Sequence, residues 1–335
     1  MKAVVLVGGG GTRLRPLTET TPKPLLPFMN RPLLHHVLDH LAEHGVEEAI
    51  LSSPYLEERF RGFLAERSGA PTLTWVTEPE PLGTFGAIAG AASHLDRTFL
   101  ALNGDVVTDL DLTALVGFHR ERQATATIAL VPVADARPFG LVETEADGRI
   151  LAFREKPEEP KPGTINAGTY VLEPEVLEGA QRGRAISIER ETFPALIASG
   201  RPLFGHVWDG YWRDLGTPAS YLQAHHDALG GAIRLPAPLR RPLLAGTARV
   251  DRDALVGDLV VIGPRCVIAA GARIDGSVLH EGVTVGSGAI VEGSVVGAGA
   301  VIGPAATLRG SVLGAGARVE PGTVVEEARL SGASG

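Results

Sequence analysis

The sequence predicts two domains of different class: an α/β domain with a mainly parallel, mixed sheet over residues 1–229, and a parallel β-helix over residues 250–328, joined by a linker at 230–249. Three observations lead there. Short apolar runs alternate with amphipathic helical stretches through the first two thirds of the chain, as in an α/β domain. Aliphatic residues then recur with a 17-residue period, as in a solenoid. Glycine content changes between the two parts: residues 1–245 hold 24 glycines and residues 246–335 hold 18, a doubling of density.

The elements follow in order. Lys2–Val7 is a five-residue apolar run behind one lysine, too short for a signal-peptide core, and reads as a buried strand. A glycine loop comes next. A helix is expected from about Arg31 to His44, a strand at Glu48–Ser52, a helix at Leu82–Leu95 and a strand at Thr98–Leu102. In such sheets ligands sit beyond the carboxyl ends of the strands, so the first loop is the place to look. It reads Gly8-Gly9-Gly10-Gly11-Thr12-Arg13-Leu14-Arg15-Pro16-Leu17-Thr18. Consecutive glycines let backbone N–H groups approach an anion. Arg13 at the third-glycine position rules out a dinucleotide fingerprint, and no GK[ST] follows to make a Walker A loop. The Gly-, Pro- and Arg-rich stretch Gly230–Gly246 reads as linker.

In the C-terminal part, Ile262, Ile268, Ile274, Leu279, Val285, Val291, Val296, Ile302, Leu308, Leu313, Val319 and Val325 are spaced 6, 6, 5 throughout. The segments ARIDGSVL, AIVEGSVV and ATLRGSVL carry the repeat openly. Val250 and Val256 extend it backward to four to five coils. The pattern resembles the left-handed hexapeptide-repeat β-helices, which include acyltransferases. His280 is the one histidine in the repeat, and no long insertion interrupts it. A structural, oligomer-forming or regulatory module is the favoured reading.

The chain has 335 residues and a net charge of −8, with 39 acidic against 31 basic residues. A general nucleic-acid or anionic-membrane binder would be basic, so neither partner is expected, and an anionic small substrate needs a local basic pocket. A lone cysteine, Cys266, supports neither an intramolecular disulfide nor a Cys-based zinc site and fits a cytoplasmic protein. No apolar stretch is long enough for a membrane span. Four of the 31 basic residues are lysines: Lys2, Lys23, Lys156 and Lys161. Lysine kept at Lys23, between two prolines, and at Lys156 in Glu155-Lys156-Pro157 points to a need for the compact ammonium.

Five motifs stand in a fixed order: Gly8–Thr18 with Pro22-Lys23-Pro24, Asn103-Gly104-Asp105, Glu155-Lys156-Pro157, Asn166-Ala167-Gly168 and Trp212-Arg213-Asp214-Leu215-Gly216-Thr217. Together they resemble the sugar-1-phosphate nucleotidylyltransferases over about residues 1–225. Glu80–Gly86 and Ser187–Pro194 are similar to segments of the mannose-1-phosphate guanylyltransferases, though Phe85 stands where a small residue is usual. The resemblance implies a Rossmann-like nucleotidyltransferase domain ahead of a left-handed β-helix. It also implies a reaction of a nucleoside triphosphate with a sugar 1-phosphate, giving a nucleotide sugar and pyrophosphate, with Mg²⁺ as cofactor.

Site roles follow from the resemblance, residue by residue. Arg13 is the expected catalytic arginine, Lys23 a second cation at the reacting phosphates, and Asp105 and Asp214 the metal-binding pair. Gly8, Gly9, Gly10, Gly11, Thr12, Glu78, Pro81, Gly83, Thr84, Asn103 and Gly104 are expected at the nucleotide. Gly140, Glu155, Lys156, Asn166 and Gly168 are expected at the sugar phosphate. A phosphate monoester is largely dianionic at neutral pH, so no catalytic base is needed and catalysis falls to positioning and charge neutralisation.

Base choice rests on hydrogen-bonding chemistry. Thymidylyl relatives usually have glutamine at the place of Glu78. A carboxylate only accepts hydrogen bonds, and guanine offers two adjacent donors, N1–H and its 2-amino group. GTP is therefore the expected nucleotide, with Glu80 a rival for the role and UTP or dTTP with glucose 1-phosphate the alternative pair. A non-catalytic regulatory subunit is the alternative of another class, and the intact Gly8–Arg15, Lys23, Asp105 and Asp214 speak against it. His36, His40 and His44 share one helical face, and without a completing carboxylate they read as a partly exposed surface rather than a metal site. A homo-oligomer is expected from the flat faces of a β-helix.

Overall fold

The computed structural model describes residues 1–54, 57–154, 158–178, 180, 183–234 and 240–332. By their packing they form two compact units: Met1–Gly9 with His36–Trp212, and Gly10–His35 with Arg213–Gly335.

The first unit is built on a mixed sheet. Thr72–Thr77, Glu48–Ser53, Lys2–Leu6 and Phe99–Asn103 lie side by side in that order, all parallel, with Val4 opposite Ile50 and Ala101. Ala3, Val4, Val5, Ala49, Ile50 and Leu51 are all 0% exposed, as continuous apolar runs are in parallel strands covered on both faces. The antiparallel strand Gly163–Leu172 joins beside Phe99–Asn103 and pairs in turn with Ala126–Val133, which carries Leu203–Val207 in parallel. Leu141–Thr144 and Ile150–Arg154 add an antiparallel pair.

Several boundaries differ from the expected ones for local reasons. The first helix is Leu33–Glu43, because Arg31–Pro32 pairs with Pro27–Phe28 before it. It ends where Gly45, at φ 74°, donates to Ala42 O and Val46 donates to Leu41 O. The stretch expected as one helix at Leu82–Leu95 is Gly83–Gly90 followed by a 3₁₀ turn at Ala92–His94. On the first helix His40 meets His44 edge-on at 4.9 Å, and His44 Nδ1 lies 2.9 Å from Thr113 Oγ1. Among the described residues no group of three or more metal-ligating side chains converges.

The second unit holds the coil. Its short strands stack into three parallel sheets of six, five and five strands, consistent with a left-handed parallel β-helix. The aliphatic positions from Ile262 to Val319 are at most 4% exposed, and Val325 is partly buried against them. Rungs from Val261 onward repeat every 17 residues, so Val278, Val295, Val312 and Arg329 stand in one column. The first coil takes 18, pairing Leu243 with Val261 and Leu255 with Arg273, because its corner after Val256 is one residue longer. The stack therefore starts at Leu243–Leu244, inside the stretch expected as linker, and runs for five coils and a closing strand.

The repeated Gly-Ser-Val corners have a specific cause. Ser277, Ser294 and Ser311 are fully buried in one column. Ser277 Oγ accepts from Ser294 N at 3.0 Å, Ser294 Oγ from Ser311 N at 3.1 Å, and Ser311 Oγ from Ala328 N at 3.0 Å. Each hydroxyl donates to the carbonyl two residues back in its own corner. Each of the three buried hydroxyls on this edge is thus paired as both donor and acceptor.

Helix Pro218–Gly230 and the segment 10–35 cover one face of the stack. Asn30 Nδ2 donates to Ile262 O at 3.0 Å, and His226 Nε2 lies 3.0 Å from Gly276 O. Tyr221 OH meets both Pro27 O and His280 Nε2. The tyrosine proton goes to the carbonyl, so His280 donates from Nε2–H. Burial pushes the His280 pKa down to about 4. Buried and bonded this way, it does not face solvent as a catalytic base for acyl transfer would.

Candidate active site

In the first unit the carboxyl ends of the parallel strands open onto a cavity of about 280 Å³. Leu6, at the end of strand Lys2–Leu6, lines it with Gly8 and Gly9; Ser52 lies near the end of Glu48–Ser53, Asn103 ends Phe99–Asn103, and Asp105 follows two residues on. Glu78, Pro81, Leu82, Gly83 and Thr84 form the opposite wall. Gly104 is held by its N–H, which donates to Leu6 O at 2.9 Å. Eight of the residues assigned to nucleotide or metal from sequence therefore meet around one cavity: Gly8, Gly9, Glu78, Pro81, Gly83, Thr84, Asn103 and Asp105.

Glu78 is 6% exposed. Its Oε1 accepts from Ser52 Oγ at 3.1 Å, and its Oε2 from Leu82 N at 3.1 Å. A carboxylate has about four lone-pair sites, so each oxygen keeps acceptor capacity toward the cavity. Glu80, its rival, is exposed and is not part of the lining. Ser52 was not legible from the sequence, because nothing local marks a buried serine at a strand end as the anchor of a carboxylate 26 residues on.

The segments Glu80–Gly86 and Ser187–Pro194 pack on each other. Phe85 N donates to Ile186 O and Ile186 N to Leu82 O, both at 2.9 Å. Ile188 N donates to Thr84 Oγ1 at 2.9 Å. Phe85 points into the core and is 4% exposed, so the unusual residue there does not face the cavity.

Asn166 sits on the long antiparallel strand with its amide occupied. Its Nδ2 donates to Tyr170 OH at 2.9 Å and Glu189 Oε1 at 2.6 Å, and its Oδ1 accepts from Gly168 N at 2.8 Å. Burial raises the Tyr170 pKa, keeping the phenol protonated. Gly168, at φ 73°, passes so close to Asn103 that a Cβ would lie 2.5 Å from its Nδ2. The Asn-Ala-Gly and Asn-Gly-Asp motifs are thus packed together. Trp212 Nε1 donates to Ala167 O at 2.9 Å, and its ring meets Phe139 edge-on at 5.6 Å. Gly140 follows Phe139 in an exposed turn, apart from the cavity lining. Glu155 and Lys156 lie outside the described residues.

In the second unit the cations gather on one carboxylate. Lys23, in a 3₁₀ turn started by Pro22, is 6% exposed, with Nζ 3.3 Å from Asp214 Oδ1. Arg13 Nη2 is 3.7 Å from Asp214 Oδ2. Arg13 rides on the 3₁₀ turn Thr12–Leu14, entered through Gly11 at φ 57°; Thr18 Oγ1 donates to Gly11 O at 2.8 Å and closes the loop. Gly10 and Thr12 are exposed. Gly216 explains the glycine of the last motif: a Cβ there would lie 2.7 Å from both Arg13 Nη2 and Asp214 Oδ2. Thr217 has a structural task. Its hydroxyl accepts from Ser220 N at 3.1 Å and caps helix Pro218–Gly230 in a capping box.

Each unit by itself offers groups that suit an anionic ligand: the first a glycine-lined cavity at strand ends, the second an arginine and a lysine on one aspartate. No helix among the described residues is long and apolar enough to cross a membrane.

Comparison with known proteins agrees. The family described as nucleotidyl transferase matches residues 2–230, and that described as the GMPPB C-terminal domain matches residues 241–332. A mannose-1-phosphate guanylyltransferase of Mycobacterium tuberculosis is 43% identical over 290 residues, 84% of this chain and 80% of the relative. Mannose-1-phosphate guanylyltransferase 1 of Arabidopsis thaliana is 37% identical over 302 residues, 85% of this chain and 82% of the relative. The crystal structure of HddC from Yersinia pseudotuberculosis complexed with GMP-PN superposes with a TM-score of 0.59 at 27% identity, over 67% of this chain and 97% of that one. The chain belongs to the nucleotidyl transferase family and is an enzyme of the sugar-1-phosphate nucleotidylyltransferase class, with a C-terminal hexapeptide-repeat domain.

Proposed function

We propose that the enzyme joins GTP and mannose 1-phosphate to give GDP-mannose and pyrophosphate. The observation that carries the nucleotide half is Glu78, a buried carboxylate on the cavity wall that accepts hydrogen bonds and donates none. Guanine's N1–H and 2-amino group suit it; the carbonyls flanking the single N–H of uracil or thymine would face its negative charge. The sugar half rests on the relatives' names and on the resemblance of Glu80–Gly86 and Ser187–Pro194 to their segments.

A phosphate oxygen of the sugar attacks the α-phosphorus of the triphosphate in line. The new P–O bond forms as the bond to the bridging oxygen of the departing pyrophosphate breaks. The nucleophile arrives ionised, so no residue needs to take a proton. Backbone N–H groups of Gly8–Gly11 cradle the triphosphate. Arg13 braces its oxygens with a planar fork and Lys23 adds a point charge at the reacting phosphates. Asn103, Gly104, Pro81, Gly83 and Thr84 shape the nucleoside side. Asn166, its two amide hydrogens held by Glu189 and Tyr170, meets the sugar through the remaining lone pair of Oδ1, with Gly140 and Gly168, and Glu155 and Lys156 take the remaining hydroxyls and the phosphate.

The donor set fits magnesium. By the family resemblance Asp105 and Asp214 would be its two carboxylate ligands, and among the described residues there is no group of three or more metal-ligating side chains. That suits a hard ion which takes its other ligands from phosphate oxygens and water. Bound there, magnesium would supply neutralisation of the triphosphate charge. Asp214 is charge-matched by Lys23 and Arg13 beforehand, which holds the three groups in place for the substrate.

The test is pyrophosphate release with Mg²⁺, with GTP, ATP, UTP, CTP and dTTP crossed against mannose, glucose, galactose and N-acetylglucosamine 1-phosphates. One dominant cell at GTP and mannose 1-phosphate is expected. Dominance of UTP or dTTP with glucose 1-phosphate would keep the chemistry and overturn the role given to Glu78. No turnover in any cell would favour a regulatory subunit.

A further inference from the structure

One column of the β-helix runs Val261, Val278, Val295, Val312 and then Arg329. The four valines are buried. Arg329 breaks the column, and its guanidinium turns to the backbone of the glycine loop. Its Nη1 donates to Arg13 O at 3.1 Å and to Arg15 O at 3.4 Å. Neighbouring contacts act on the same loop. Ser331 Oγ lies 3.0 Å from Glu19 Oε1, and a Cβ on Gly314 would lie 3.0 Å from Pro16 Cβ.

The loop needs such an anchor. The turn that carries Arg13 is three residues long, closed by Leu14 N to Gly11 O at 2.9 Å and Arg15 N to Thr12 O at 3.3 Å. The next bond of that series would end on Arg13 O, but its donor would be Pro16, which has no N–H. A single turn has no cooperative stability of its own. The Arg13 side chain is 70% exposed and is not held by packing. Its direction is set by the ion pair to Asp214 at its tip and by the backbone at its root, and Arg329 bonds that backbone.

We infer that Arg329 is a positioning residue. The last coil of the β-helix holds the Arg13 and Arg15 carbonyls and thereby aims the Arg13 guanidinium at the triphosphate. This rests on the proposed contact between Arg13 and the triphosphate.

Arg329→Val tests it, because it restores the residue that the four preceding coils carry. The coil should keep its thermal midpoint while kcat falls about tenfold, as misplacement of a catalytic group by a fraction of an ångström does. KM for the sugar 1-phosphate should not move. Arg329→Lys, with a donor but no fork, should recover part of the loss. Arg329→Gln gives the same readout should the valine variant not fold. In an Arg13→Ala background, Arg329→Val should change kcat by less than about twofold, since its effect passes through Arg13. A wild-type kcat in Arg329→Val, or an equal proportional loss in both backgrounds, would overturn the inference while leaving the role of Arg13 intact. A wild-type rate in Arg13→Ala alone would instead overturn the role of Arg13, and the inference with it.

Discussion

Glu78→Gln is the sharpest test of how the base is chosen. The substitution keeps size and shape and replaces one acceptor oxygen with an NH₂ group. In the native cavity Ser52 Oγ and Leu82 N donate to the two carboxylate oxygens at 3.1 Å each. Glutamine has one oxygen to offer. Leu82 N–H claims it, because a buried donor left unmet costs about 1–3 kcal/mol. The NH₂ then turns to Ser52, whose hydroxyl also has Ala87 O within 3.3 Å as an acceptor, so the side chain stays in place. One of guanine's two donors now meets a donor, and the other keeps only a neutral amide oxygen in place of a carboxylate. Hydrogen bonds to a charged group are worth about 1.5–3 kcal/mol each, and water entering the open cavity offsets part of that. A net loss near 3 kcal/mol corresponds to about a hundredfold drop in kcat/KM for GTP. The same parameter for UTP and dTTP should hold or rise. The assay is pyrophosphate release with mannose 1-phosphate, measured as the GTP:UTP and GTP:dTTP ratios of kcat/KM beside a thermal midpoint. Ratios unchanged within about threefold, in a variant that melts like the wild type, would refute the reasoning.

Gly216→Ala should cut kcat by about a hundredfold with little loss of stability, because its Cβ wedges between Arg13 and Asp214 and displaces the flexible arginine; a fully active variant would contradict the arrangement. Ser294→Ala should cost about 1–3 kcal/mol in a denaturant melt, since the buried Ser311 N–H loses its acceptor. His40 and His280 both have folded-state pKa values near 4, lowered by burial, against an ordinary value of 6.5. The unfolded chain binds their protons first, so stability falls as pH drops from about 6.5 to about 4, by roughly 3 kcal/mol for each histidine. Urea midpoints at pH 7 and pH 5 should show about 2 kcal/mol of that loss for each histidine, since pH 5 still lies above the folded-state values. His280→Gln, which keeps the donor to Tyr221, should shallow it, and an identical slope in that variant would disprove the assignment.

Much of the molecule was legible in residue order alone. The coil follows from period: a side chain every 17 residues must stack on its counterpart, and Ile262 through Val319 do so. The strands Lys2–Leu6 and Glu48–Ser53 follow from apolar runs that only a doubly covered parallel sheet can bury. What residue order could not supply is pairing across distance. Ser52 beneath Glu78, Glu189 on Asn166 and Lys23 on Asp214 join residues 26, 23 and 191 positions apart. No periodicity or local propensity encodes such contacts, because chain closure between them depends on every element in between. The serine ladder, the early start of the coil at Leu243 and the turn of Arg329 toward Arg13 are of the same kind. Period and composition determined which surfaces had to be buried. Only the folded chain decided which polar groups those surfaces brought together, since each hydrogen bond needs its partner within about 3 Å, a distance set by tertiary packing.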